Sequence, residues 1–180
     1  VPLYTGDGTS GIYVYGAQIE TGATPSSYIP TSGATVTRAA ETLTVPAANL
    51  PYDSTNMSIQ MDGKMTYADT SNAFEVVPYW WRQGGTDFIH SQLSTVGGRT
   101  GAMQFYQRQS TSGQEVVSSG NNAYSPDTNV PFNIATRNGS TFLNGAHEGT
   151  LLTADTTPTA LPNLSSTNLI LGYDFMGTIG

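Results

Sequence analysis

Apolar residues at the three- and four-residue spacing of an amphipathic helix, sustained over ten or more positions, nowhere survive the next glycine or proline of this chain. With 20 Gly and 10 Pro spread through 180 residues rich in Thr and Ser, helix is excluded as a major element. What remains is a series of short strands separated by turns. The fold class that follows is all-β, two antiparallel sheets packed face to face.

Individual strands are legible by alternation, since successive side chains of a strand point to opposite faces. "NMSIQM" puts Met57, Ile59 and Met61 on one side and Ser58 and Gln60 on the other. "MQFYQRQ" separates Met103, Phe105 and Gln107 from Gln104, Tyr106 and Arg108. "TNLILGYD" supplies a strand through Leu169 and Leu171. In "AFEVVPYWW" a dense apolar run is interrupted by Pro78. Proline lacks the ladder donor, so the expectation is that the strand ends there or lies at a sheet edge. "FNIATRNGSTFLNG" holds two Asn-Gly pairs, Asn138-Gly139 and Asn144-Gly145, and each is expected at a hairpin turn because both residue types tolerate positive φ.

The start of the chain behaves differently. In "SGIYVYGAQIE", Tyr13, Tyr15, Ala17 and Ile19 face one way and Ile12, Val14, Gly16 and Gln18 the other. The stretch from Thr21 to Thr37 cannot bury a face and reads as a linker, with Tyr28-Ile29 expected to dock on a neighbouring surface. A lone strand leaves its backbone donors and acceptors unsatisfied. Residues 12–19 are therefore expected to pair with sequence lying before Val1 or with another subunit, the alternative being that they fold back onto the main body.

Charge narrows the function classes. A formal net charge of -7, with only six Lys and Arg, argues against a nucleic-acid partner, which needs clustered cations. No apolar run approaches the roughly 20 residues of a membrane-spanning helix. Val1-Pro2-Leu3 has neither the basic region nor the apolar run of a signal peptide, and the chain reads as a piece of something longer. With no Cys, disulfide scaffolds and thiolate metal sites are excluded.

The search for chemistry finds little. Glycoside hydrolysis needs two carboxylates at a defined separation, and the Asp and Glu residues occur singly, as solvated turn residues. His90 and His147 lack a recognisable acidic or nucleophilic partner, so no catalytic residue, no cofactor and no metal is expected. The Asp-containing loops "ADTSN" and "YSPDTN" have the chemistry for calcium but no D-x-D-x-D-G run. The N-x-S matches at Asn56, Asn138 and Asn163 are chance products of composition. The best candidate for recognition is "PYWWRQGGTD". Tyr79, Trp80 and Trp81 would stack on the C–H faces of a sugar while Arg82, Gln83 and Asp87 bond its hydroxyls. On a strand, however, Trp80 and Trp81 point to opposite faces, so one of them belongs to a core.

Three elements of the opening region, Tyr13 to Glu20, Pro25 to Thr31 and Val36 to Ala40, together resemble a junction of bacteriophage tail fibres and related virion structural proteins. There the closing strand of a jelly-roll domain like a carbohydrate-binding module meets a linker that opens a concanavalin A-like or laminin G-like sandwich. "FNIATRNGSTFLNGAHEGTL" and "LPNLSSTNLILGYDFMGTIG" resemble later parts of that second domain, while residues 62 to 128 match only in strand pattern. The resemblance implies that residues 1–20 are the last strand of an upstream jelly roll, 21–37 a linker, and 38–180 a concanavalin A-like sandwich that is incomplete at its C-terminus. It further implies a non-enzymatic component of a phage fibre or head-decoration fibre, on the exterior of the virion. Its partners would be copies of itself in a homotrimer, other virion proteins and host-surface glycan. The alternatives are a carbohydrate-active depolymerase domain and a stand-alone glycan-binding module.

Overall fold

A computed structural model describes residues 5–20, 27–37, 43–110 and 113–172. From Leu43 onward it is a sandwich of two antiparallel sheets, with a single 3-10 turn at Ala47–Asn49 as its only helical element among the described residues. In chain order the strands are β1 (Leu43–Val45), β2 (Asn56–Tyr67), β3 (Val76–Gln83), β4 (Asp87–Ser94), β5 (Ala102–Arg108), β6 (Gln114–Ser118), β7 (Asp127–Gly139), β8 (Leu143–His147), β9 (Thr150–Leu151) and β10 (Leu169–Leu171). One sheet has the order β1-β10-β3-β4-β5-β6 and the other β2-β7-β8-β9.

The expected alternation builds the core. Met57, Met65 and Tyr67 of β2 and Met103 and Phe105 of β5 turn inward, joining Tyr79, Trp81, Ile89, Leu93, Ile134 and Leu169. Full burial of each such side chain contributes about 2 kcal/mol. Packing is tight where Phe105 lies on Gly145: a Cβ at Gly145 would fall 2.3 Å from Phe105 Cδ2.

Two turn expectations are corrected by these pairings. Asn144-Gly145 lies inside β8, paired with Arg137 and Thr136, and makes no turn. Glycine is required there by the approach of Phe105. The two-residue turn that follows β8 is Glu148-Gly149, between the paired residues His147 and Thr150, with φ of 47° and 74°, the sign a type I′ turn needs. At Asn138 the ladder with β8 does close a hairpin, but Asn138 pairs with Leu143, so the loop is four residues long and begins at Gly139.

Pro78 is likewise neither a strand end nor at an edge. Strand β3 runs through it in the sheet interior, between β10 and β4. Its register with β4 shifts between Val76 and Tyr79, so the missing N–H falls in a bulge. On the other side the Pro78 carbonyl still accepts a hydrogen bond from Gly172 N–H at 2.9 Å. A bulge is the one interior position where a ladder tolerates proline.

Residues 5–20 and 27–37 form no strand. Ile12, Tyr13, Val14, Tyr15 and Ile19 are exposed, Tyr13 and Ile19 completely. Tyr28 does dock, but on this same segment: its ring lies 5.8 Å from that of Tyr15, and Ile29 N–H donates to Gln18 Oε1 at 2.8 Å. Part of the expected linker (21–26), the "TRAA" motif from Arg38 and the "GTIG" end lie outside the described residues.

Candidate functional site

The outward face of the six-stranded sheet carries a second layer of side chains, distinct from the core. The register sets Ile170, Trp80, His90, Tyr106 and Val116 in one row across β10, β3, β4, β5 and β6. His90 is clamped between two rings. Trp80 is stacked on it at 4.2 Å with planes 3° apart, and Tyr106 at 4.6 Å and 16°. Phe88 and Phe74 close around the pair, 5.2 and 6.1 Å from the His90 ring.

The neighbouring row is polar. Gln92 Nε2 donates to Gln104 Oε1 at 3.0 Å and to Tyr106 Oη at 3.2 Å, and Tyr106 in turn donates to Gln104 Oε1 at 3.1 Å. That leaves Gln92 Oε1 as the acceptor facing His90 Nε2 at 3.0 Å. The network therefore assigns the proton of the neutral imidazole to Nε2. Nδ1 is then a bare acceptor, buried and without a hydrogen-bond partner. Burial dominates the electrostatics of the ring and holds its pKa down at about 4, against the opposing bond from Gln92. Burial also raises the pKa of the Tyr106 hydroxyl, an effect Arg99 opposes.

Arginine frames this layer. The Arg82 guanidinium lies 5.7 Å from the Trp80 ring centre and that of Arg108 6.0 Å from Phe88. Arg108 Nε is buried and unbonded. Both arginines are half-buried, whereas Trp80, Phe88, His90, Gln92 and Gln104 are closed off from solvent.

The residues singled out by sequence are not brought into one site. Tyr79 and Trp81 are in the inter-sheet core, 1% and 2% exposed, and Trp81 Nε1–H donates to the Thr167 carbonyl at 2.9 Å. Their burial removes them from any glycan contact. Trp80 and Arg82 belong to the outward layer just described. Gln83 is exposed at the β3–β4 turn. Asp87 works locally there, accepting from Ser110 N–H at 3.1 Å and from Thr86 Oγ1 at 2.8 Å. Sequence reasoning passed over His90, Gln92, Gln104, Tyr106, Arg99 and Arg108 as site residues. The available signal was the alternation of "DFIHSQLS", which puts Phe88, His90 and Gln92 on the face shared by Gln104, Tyr106 and Arg108.

Among the described residues no group of three or more His, Cys, Asp or Glu is placed to hold a metal ion. The two calcium-like loops use their carboxylates internally, Asp69 accepting from Ser71 N–H at 3.2 Å and Asp127 from Thr128 N–H at 2.7 Å.

No protein-family model matches the chain, and no curated protein sequence matches it. Among solved structures it is similar to the CBM40 domain of the Ruminococcus gnavus IT-sialidase, determined bound to alpha2,3 sialyllactose, at 16% identity, with 70% of this chain and 68% of that chain covered and a TM-score of 0.49.

Proposed function

We propose that this chain is a β-sandwich module of a bacteriophage fibre, displayed on the outside of the particle, assembled from like copies and holding host-surface glycan. The observation that carries the reading is the segment Ile12 to Ile19. It is apolar on both faces, exposed, and belongs to no strand of the sandwich, an apolar surface that pairing with a sheet supplied from elsewhere would cover. The junction sequence at Tyr13–Glu20, Pro25–Thr31 and Val36–Ala40 supports the same reading, since it resembles the boundary between consecutive fibre domains. For glycan, the support is the framed layer around Trp80, with arginine, glutamine and tyrosine side chains on one face.

Binding rather than catalysis is the chemistry this face favours. A proton-transfer reaction needs a base within reach of substrate, whereas the one unbonded nitrogen of His90 is buried and the Tyr106 hydroxyl is engaged with Gln104. Gold-labelled antibody against the chain, applied to purified phage particles, is expected to mark their exterior fibres. Unlabelled particles would sink the virion reading, and a monodisperse monomer in sedimentation of the intact protein would sink the homotrimer. Release of reducing ends from host polysaccharide would instead favour a depolymerase.

A further inference from the structure

Strands β1, β6, β2 and β9 stand at the ends of the two sheets. Three of them are short, at 3, 5 and 2 residues for β1, β6 and β9, whereas β2 runs for 12. Among the described residues β2 is paired on one side only, with β7. A long edge with one row of backbone groups unused is a template for a further strand. The sandwich is also open at this edge. Ile59 and Met61 pack inward against the core yet stay half-buried. Beside Ile59 a cavity of about 290 Å³ separates the two sheets, lined in part by Leu50, Met57, Ile59, Trp81 and Leu169. Since an apolar cavity of about 150 Å³ holds one benzene ring, this gap has room for about two large side chains.

The chain carries a segment that matches the edge. Ile12, Tyr13, Val14, Tyr15 and Ile19 are exposed, and no backbone hydrogen bond joins residues 12–19 to another described residue. Over residues 12–15 either alternation offers two large apolar side chains, Ile12 with Val14 or Tyr13 with Tyr15, at the two-residue spacing of Ile59 and Met61. Its own sandwich does not take the segment up as a strand. We infer that residues 12–19 of one copy add as a strand to the free edge of β2 in a neighbouring copy, their apolar side chains entering the gap beside Ile59. The inference rests on the reading of the protein as an assembly of like copies and names the joint between them. In strand addition the main-chain hydrogen bonds give affinity and the inserted side chains give specificity. Gly16 has a φ of 72°, the conformation of glycine in a G1 bulge, so the added strand can bend there and stay in the ladder. Lys64 protects the far part of the β2 edge against unselective pairing, which leaves Asn56–Met61 as the seat. The size is adequate as well. Two tyrosines bury roughly 150 to 250 Å² each, and with three aliphatic side chains and the facing edge one joint reaches the roughly 1,200 Å² of a specific interface.

The test uses the full chain in sedimentation velocity over a range of concentrations. The unaltered protein should self-associate, and Val14→Asp with Tyr15→Asp should weaken association by at least about a hundred-fold, the effect of about two buried apolar side chains. Its melting temperature should not change, because both side chains are exposed in the single copy. Ile59→Lys should likewise give a monomer. Mixing the two variants should restore a one-to-one complex, since one keeps the segment and the other keeps the edge. A fluorescent peptide of residues 10–20 should bind the Val14→Asp, Tyr15→Asp chain, a measurement that decides the matter even where Ile59→Lys fails to fold. Association that survives Val14→Asp with Tyr15→Asp would overturn the inference and leave the reading of like copies standing. A monomer at every concentration that also ignores the peptide would overturn both. A monomer that binds the peptide only after the two aspartates are introduced would show that the segment covers the edge of its own chain, and would overturn the exchange between copies.

Discussion

Gln107 of the six-stranded sheet and Asn138 of the four-stranded sheet meet across the interior of the sandwich, Asn138 Nδ2 donating to Gln107 Oε1 at 3.2 Å. Both are fully enclosed, and the contact belongs to a larger circuit. Gln107 Nε2 donates to the carbonyls of Gly139 (2.9 Å) and Thr159 (2.6 Å), and Thr136 Oγ1 donates to Asn138 Oδ1 (3.1 Å). A polar bridge of this kind fixes how the two sheets sit on each other, because any sliding would strand several buried groups. Gln107→Met should therefore lower stability by about 2 to 4 kcal/mol, leaving the Asn138 amide and two carbonyls unpaired. Urea unfolding of Gln107→Met, Asn138→Leu and the double variant checks this. The double variant should lose less than the sum of the two single losses, and simple additivity would show that the pair does not interact.

Gly145→Ala should destabilise the protein by about 1 to 3 kcal/mol through overpacking, since its Cβ would meet Phe105 Cδ2 and Cε2 at 2.3 and 2.7 Å. Thermal unfolding of Gly145→Ala with and without Phe105→Leu separates this from a simple effect on strand propensity. The smaller residue at position 105 should make the alanine less costly than it is beside Phe105.

His90 makes stability depend on pH in mild acid. Its pKa falls from an ordinary value of 6.5 to about 4 in the folded protein, so between those values the unfolded chain binds the extra proton and the folded one does not. Stability from this group is complete above pH 6.5, declines as pH drops toward 4 and then levels off. The slope in that window should approach one proton, about 1.4 kcal/mol per pH unit. Chemical unfolding at pH 7.0, 5.5 and 4.5 measures it. His90→Phe should remove that contribution to the slope, and a slope unchanged by the substitution would mean that His90 is already accessible to protons.

At the β8–β9 turn, Glu148 Oε1 accepts hydrogen bonds from Asn133 N–H at 2.6 Å and from Tyr124 Oη at 2.9 Å. Glu148→Ala removes a charged acceptor shared by two donors and should cost about 1.5 to 3 kcal/mol. Glu148→Gln, which keeps an acceptor oxygen, should cost less. Near-ultraviolet circular dichroism of Tyr124 together with the unfolding midpoint reports whether the loop stays in place.

How far the sequence discloses this molecule depends on whether the information is local. The alternation of Met57, Ile59 and Met61, or of Met103 and Phe105, is a property of neighbouring residues, and those strands form where their pattern says. Asn144-Gly145 is misleading because the demand for glycine comes from Phe105, forty residues earlier, and Pro78 because a bulge is invisible until the partner strand is known. The candidate site fails to read out for the same reason. Trp80, His90 and Tyr106 come from three strands, and their stacking is a fact of register. Tyr79-Trp80-Trp81 draws attention as a cluster, yet a pleated strand divides it between two layers.

Strand β10, residues 169–171, enters the large sheet between β1 and β3. During synthesis the segment at 43–45 thus emerges from the ribosome well over a hundred residues before the strand it pairs with exists. Until then Trp81 and Tyr79 border an open seam, and a nascent chain halted short of Leu169 would display that seam to chaperones or to other nascent chains. Completion of the larger sheet is in this sense a late event, timed by the order of the strands and not by their individual strength.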